Sequence, residues 1–160
     1  MTTQRKEIYI VEDSPDFRHL VRSIFKKFLP EYDIRFFQGG SELYQFIILQ
    51  STEEYSGKLP GLIIMDLELP TIDGFEMIKL LRRSPSNKAT AWNTIPIVVL
   101  SNNSTQADID KAYRSSVNSF FIKPVDFDEL RLLLETICRY WIDYNRLALP
   151  DQETSELEEA

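Results

Sequence analysis

Residues Leu62–Pro70 read LIIMDLELP. Four apolar side chains run straight into the carboxylate of Asp66. An unbroken apolar run of this length fits a strand buried on both faces, as the central strands of a parallel sheet are. A carboxylate at the end of such a strand is costly unless something compensates it. What the rest of the chain brings to Asp66 therefore determines what the strand is for.

Outward from this stretch, apolar runs alternate with segments of helical period. Glu7–Val11 (EIYIV), Tyr32–Phe37 (YDIRFF), Gly61–Asp66, Ile95–Leu100 (IPIVVL) and Ser119–Ile122 (SFFI) read as strands. Ser14 and Pro15 form a helix start, N-cap then first helical residue. Phe17, Leu20, Val21, Ile24, Phe25 and Phe28 follow on one face, ending near Pro30. Ser41 is expected to cap a second helix carrying Leu43, Phe46, Ile47 and Leu49. Phe75, Ile78 and Leu81 mark a short third helix, Thr105–Ser115 a polar fourth, and Asp126 caps a last helix over Phe127–Asn145. Ser51–Pro60 reads as a polar loop and Pro70–Gly74 as a turn. Arg82–Thr94 reads as a long loop whose Trp92 is expected to lie as a lid over the helix before it.

Five strands alternating with five helices on short connections imply β-α-β crossovers. The expected fold is α/β, a doubly wound parallel sheet covered on both faces. In such sheets chemistry collects at the carboxyl ends of the strands.

The chain has 160 residues, the size of one domain, and a formal net charge of −7. The acidic balance argues against DNA or membrane binding through a basic face. No apolar run approaches the roughly 20 residues of a membrane span, and the polar N-terminus lacks a signal-peptide core. Cys138 is the only cysteine, which excludes an intrachain disulfide and fits a reducing, cytoplasmic setting. The expected division is a folded domain over 1–148 and an acidic, aperiodic tail over 149–160.

Glu12 and Asp13 follow the first strand, Asp66 ends the third, Ser101 follows the fourth and Lys123 follows the fifth. The fold rule gathers these groups on one edge. Carboxylates crowded together raise one another's pKa, and a divalent cation relieves the repulsion. Hard oxygen donors select Mg²⁺. Glu12, Asp13, Asp66, one Mg²⁺ and Lys123 sum to zero charge, so the site can accept an incoming phosphoryl group. Asp66 is the candidate nucleophile, since a carboxylate can form an aspartyl phosphate.

The motifs VEDSP, MDLELPTIDGFE, VVLSNN and NSFFIKPV resemble the receiver domain of two-component response regulators, from about Lys6 to Asn145. The resemblance implies a flavodoxin-like sheet in strand order 2-1-3-4-5. It implies Asp66 as phosphoacceptor, Ser101 as switch hydroxyl, Lys123 as the phosphoryl partner and Phe120 as the switch aromatic. It implies Mg²⁺ held by Glu12, Asp13, Asp66 and the backbone carbonyl of Glu68. Lys123–Phe127 and Arg139-Tyr140-Trp141-Ile142 resemble the stand-alone regulators paired with bacterial phytochrome-type histidine kinases.

The implied function is a stand-alone receiver, not a turnover enzyme. It takes a phosphoryl group from a sensor histidine kinase, or a histidine phosphotransfer protein, onto Asp66. It then reshapes its helix 4–strand 5–helix 5 face. The kinase is expected against the first helix, with its Arg18, Arg22, Lys26 and Lys27. Asn102 stands where the family commonly has a small residue, and with Glu68 and Asn103 is expected to tune the aspartyl phosphate's lifetime. His19, the only histidine, is expected at the surface.

In the last helix Phe127, Leu130, Leu134, Ile137 and Trp141 form one stripe. Leu132, Leu133, Tyr140, Ile142, Tyr144 and Leu147 add apolar surface beyond it, which suggests a homodimer. Direct DNA binding and membrane contact are not expected. The rival readings are an aspartate-nucleophile phosphohydrolase of the haloacid dehalogenase type, whose second Asp is Glu68 here, and a phosphorylation-incompetent receiver serving as a binding module. A flavodoxin-like cofactor binder has no motif in its favour.

Overall fold

The computed structural model describes residues 6–50, 59–69, 73–83, 92–102 and 105–147. The elements are β1 (Glu7–Val11), α1 (Pro15–Phe28), β2 (Asp33–Phe37), α2 (Gly40–Gln50), β3 (Leu62–Met65), α3 (Gly74–Arg83), β4 (Ile97–Ser101), α4 (Gln106–Arg114), β5 (Ser119–Ile122) and α5 (Phe127–Cys138). All strand pairs are parallel, in the order β2-β1-β3-β4-β5.

The sequence dictates the layers. All four β3 residues are buried. Their alternation sends Leu62 and Ile64 to the face covered by Val21 and Ile24 of α1 and by Leu130 and Leu134 of α5. Ile63 and Met65 go to the opposite face, against Leu43 of α2 and Met77, Ile78 and Leu81 of α3. This two-sided burial is why the run in β3 shows no polar alternation.

Register then sets the edge where chemistry collects. Val11 stands opposite Met65, Met65 opposite Val99, and Ser101 opposite Ile122. Hydrogen bonds continue past the strand ends: Asp66 N–H donates to Val11 O at 3.1 Å, and Lys123 N–H to Ser101 O at 2.8 Å. Glu12, Asp66, Ser101 and Lys123 are thereby delivered to one edge by the backbone ladder.

Helix starts follow side-chain chemistry. Ser14 caps α1, accepting from Phe17 N–H at 3.2 Å, with Pro15 as first helical residue. Thr105 and Asp108 form a reciprocal capping box on α4. Asp126 caps α5 by accepting from Glu129 N–H at 3.0 Å. Ser41 does not cap α2, which already begins at Gly40. Glu42 instead accepts from Gln38 N–H at 3.1 Å, which draws the start forward.

Other expectations need correction. Leu49 points outward with Ile48, while Leu43, Phe46 and Ile47 meet the core on the other side of α2. Trp92 lies against α3 as expected, but deeper than a lid: it is fully buried in a short 3₁₀ turn, in one cluster with Met77, Ile78 and Leu81, its ring centroid 6.1 Å from that of Tyr9. Ile142 is no surface residue. The last helix changes from α to π over Arg139–Tyr144, and Asn145 N–H bonds Tyr140 O five residues back at 2.7 Å. The wider turn aligns Ile142 with Ile137, five positions earlier, and both are buried. The loop expected over residues 51–58, most of the 70–74 turn, residues 84–91 and the tail over 149–160 lie outside the described residues.

Candidate functional site

Asp66 is the first residue after β3 and is buried. Its Oδ1 accepts from Ser101 Oγ at 3.0 Å and from the Glu68 backbone N–H at 3.1 Å. Its Oδ2 accepts from Lys123 Nζ at 2.8 Å. The same ammonium forms a second, short ion pair with Glu12. The Lys123 side chain is only 5% exposed, so these contacts form largely away from water. Asp13 is exposed at the rim, and its carboxylate joins those of Glu12 and Asp66, the ligand atoms lying within 4.8 Å of one another.

Electrostatics follow from burial. Desolvation pushes the Glu12 carboxyl up to about 7, against the opposing pull of Lys123. Burial disfavours the Lys123 ammonium as well. The hydrogen bonds to Asp66 and Glu12 outweigh that cost and hold its pKa above the usual lysine range.

The donor set fits a divalent cation. Glu12 Oε2 is buried and has no hydrogen-bond partner among the described residues. Three carboxylates cluster and only two of them pair with the one ammonium, so one further positive charge centre with oxygen preference completes the site. The arrangement can also hold a phosphoryl group against Asp66, because hydroxyl, amide and ammonium donors already point at its two oxygens.

The structure brings Glu12, Asp13, Asp66, Ser101 and Lys123 together. Glu68 contributes its backbone amide, while its side chain is exposed. Phe120 stands apart: it is half-buried on β5 opposite Val99 and packs against the core on the α2–α3 side of the sheet. Asn102 and His19 are exposed, and Asn103 lies outside the described residues.

Two residues of the site escaped sequence reasoning. A Cβ at Gly74 would lie 2.6 Å from Leu67 Cα and 2.7 Å from Asp66 O, so α3 reaches the Asp66 loop only because position 74 lacks a side chain. The Asp73-Gly74 pair was the available signal. Phe17 reads as part of a core stripe, yet its ring centroid lies 4.2 Å from Lys123 Nζ. No helical period reports that contact.

Residues 8–135 match the family profile of the response regulator receiver domain. The chain belongs to this family. A probable methanogenesis regulatory protein, FilR2 of Methanothrix harundinacea, is 32% identical over 87% of this chain and 85% of its own length. The response regulator Rcp1 of Synechocystis is 28% identical over 86% of this chain and 90% of its own length. Its Mn²⁺-bound crystal structure superposes with a TM-score of 0.72, at 28% identity, covering 90% of this chain and 99% of that one. The phosphorylated cyanobacterial phytochrome response regulator RcpA superposes with a TM-score of 0.76, at 26% identity, covering 91% of this chain and 99% of that one. These receivers share the sheet order and five-helix arrangement found here. Receiver proteins of this kind are signalling proteins, and the acidic cluster is compatible with a divalent metal. Among the described residues no helix is long and apolar enough to cross a membrane.

Proposed function

We propose that this receiver, spanning residues 1–148, takes a phosphoryl group onto Asp66 from a histidine on another protein. The observation that carries the reading is the convergence on one buried carboxylate of the Ser101 hydroxyl, the Glu68 amide and the Lys123 ammonium, beside two more carboxylates. Glu12, Asp13, Asp66 and the Glu68 carbonyl would hold Mg²⁺. When bound, the cation screens the negative charge that builds as donor and carboxylate approach.

The chain's own groups do the rest. An oxygen of Asp66 attacks phosphorus. A P–O bond forms as the P–N bond to the donor imidazole breaks, and the imidazole nitrogen departs with the electron pair. Lys123 exchanges its bond to Asp66 for one to a phosphoryl oxygen, and Ser101 Oγ donates to another. Ser101 shifts in doing so, and Phe120, on the neighbouring strand β5, repacks. Since Phe120 lacks a phenol, its rotation is driven by packing alone. The α4–β5–α5 face changes shape and signals to a partner.

The donor is a sensor histidine kinase or a histidine phosphotransfer protein. Similarity to RcpA favours a phytochrome-type kinase, and a cytoplasmic setting follows from that role. Exposed Leu132, Tyr140 and Tyr144 on the last helix support a homodimer through the α4–β5–α5 face.

Incubation with acetyl phosphate and Mg²⁺ tests the reading. Labelling saturating at one phosphoryl per chain is expected, without sustained release from phosphoesters. Continuous turnover of p-nitrophenyl phosphate would instead indicate a phosphohydrolase. Absence of Mg²⁺-dependent labelling would indicate a receiver that only binds partners.

A further inference from the structure

We propose that Phe17 is a positioning residue for Lys123, and that its aromatic face, beyond its apolar bulk, sets the rate at which Asp66 is phosphorylated. The inference rests on the phosphoacceptor reading above and adds to it a residue outside the charged cluster.

The first turn of α1 places Phe17. Its N–H is tied to the Ser14 cap at 3.2 Å, and the neighbouring Arg18 donates to the Glu12 backbone carbonyl at 2.7 Å. These two bonds fix the turn against the loop that carries Glu12 and Asp13. From there the Phe17 ring reaches Lys123, its centroid 4.2 Å from Nζ. The ammonium has three N–H donors. Two go to the carboxylates of Glu12 and Asp66, and the ring occupies a further side. The negative face of a benzene ring attracts an ammonium, and more strongly where water is kept out. Water is largely kept out here. Phe17, Val21, Ile64, Leu100 and Leu134 line the apolar side of the cavity beneath Glu12 and Asp66, and the lysine side chain is 5% exposed.

The consequence concerns motion. During transfer Lys123 must leave Asp66 Oδ2 for a phosphoryl oxygen while keeping its place over the site. A ring face has no directional donor or acceptor, so it supports the ammonium at both ends of that swing. A leucine would fill the space but offer no attraction, and water would take up the freed N–H. The ammonium would then begin transfer solvated and poorly aimed.

The test uses acetyl phosphate with saturating Mg²⁺ on the full chain, so that docking of a kinase to α1 plays no part. Phe17→Leu should be phosphorylated roughly tenfold more slowly than wild type, given the strength of desolvated cation–π contacts. Phe17→Tyr, which keeps the ring, should stay within about twofold, and Mg²⁺ affinity should be unchanged in both. The Lys123 ε-methylene protons should show an upfield ring-current shift by NMR in wild type and Phe17→Tyr, lost in Phe17→Leu. Equal rates for wild type and Phe17→Leu would overturn the proposal. So would equal slowing of both variants, which would mark a merely structural role. So would an unshifted Lys123 resonance in wild type. If wild type itself takes no phosphoryl group, the phosphoacceptor reading fails, whereas the NMR comparison still reports on the ring contact.

Discussion

Gly74 is the position where the least change should do the most local damage. A methyl group there meets main-chain atoms of Asp66 and Leu67, which cannot rotate away as a side chain can. Gly74→Ala should cost about 1–3 kcal/mol in urea unfolding, the usual cost of overpacking, and should slow acetyl phosphate labelling by displacing the Asp66 loop. Lys123 makes a complementary case. Lys123→Met removes the cation shared by two buried carboxylates. Breaking a buried pair in this way costs about 3–5 kcal/mol. A bound divalent ion replaces part of the lost charge, so added Mg²⁺ should recover more stability in Lys123→Met than in wild type, read from paired urea titrations. Glu12, Asp13, Asp66, Ser101 and Lys123 were legible in the sequence because each sits at the end of a strand, where a simple rule sends ligands. Gly74 and Phe17 were not. One matters for what it lacks, and the other for a tertiary neighbour 106 positions away that no periodicity encodes.

The last helix shows how elements outrun sequence patterns. An α-helical count over Phe127–Asn145 places Ile142 off the buried stripe, but the switch to π turns returns it to the core. A polar clamp secures that segment. Tyr32 Oη donates to Asp143 Oδ2 at 2.6 Å, and Arg139 donates to the same oxygen at 3.2 Å while reaching Glu31 at 2.8 Å. Burial pushes the Asp143 carboxyl up, but Tyr32 and Arg139 outweigh it and hold the group below its ordinary 3.8. A depressed carboxylate stabilises the fold above its unfolded pKa and stops doing so as pH falls through the folded value. Tyr32→Phe should therefore cost about 1 kcal/mol at neutral pH, allowing for partial solvent screening. The difference from wild type should shrink below pH about 4, as thermal melts across pH would show. Arg82 clamps the other elements at the opposite edge of the sheet. It donates to Ser116 O, Asn93 O, Ile95 O and Asn118 Oδ1, tying α3 to the entries of β4 and β5. Strand and helix identities were otherwise legible from apolar runs and caps. The full burial of Trp92 was not, because a single tryptophan in an aperiodic stretch gives no sign of how deep it sits against the helix before it.

For the molecule as a whole, the doubly wound layers follow from alternating elements and handed crossovers, while the strand order is implied only by the resemblance to receiver domains, and the structure has both. Association between copies does not follow in the same way. With Ile142 buried, the exposed large apolar residues of the last helix are Phe127, Leu132, Tyr140 and Tyr144, 42%, 60%, 54% and 76% exposed. If they form a symmetric interface, sedimentation velocity should show a dimer that Tyr144→Ser weakens. A monomer with and without beryllofluoride, a phosphoryl mimic, would contradict it. Signalling by this chain, as proposed, depends on Asp66 being the group that takes the phosphoryl. Phosphorylating the chain with acetyl phosphate and Mg²⁺, reducing the acyl phosphate with borohydride and mapping peptides by mass spectrometry addresses this directly. The predicted result is homoserine at position 66 alone, absent when Mg²⁺ is chelated. Homoserine at another aspartate, with position 66 unchanged, would contradict it.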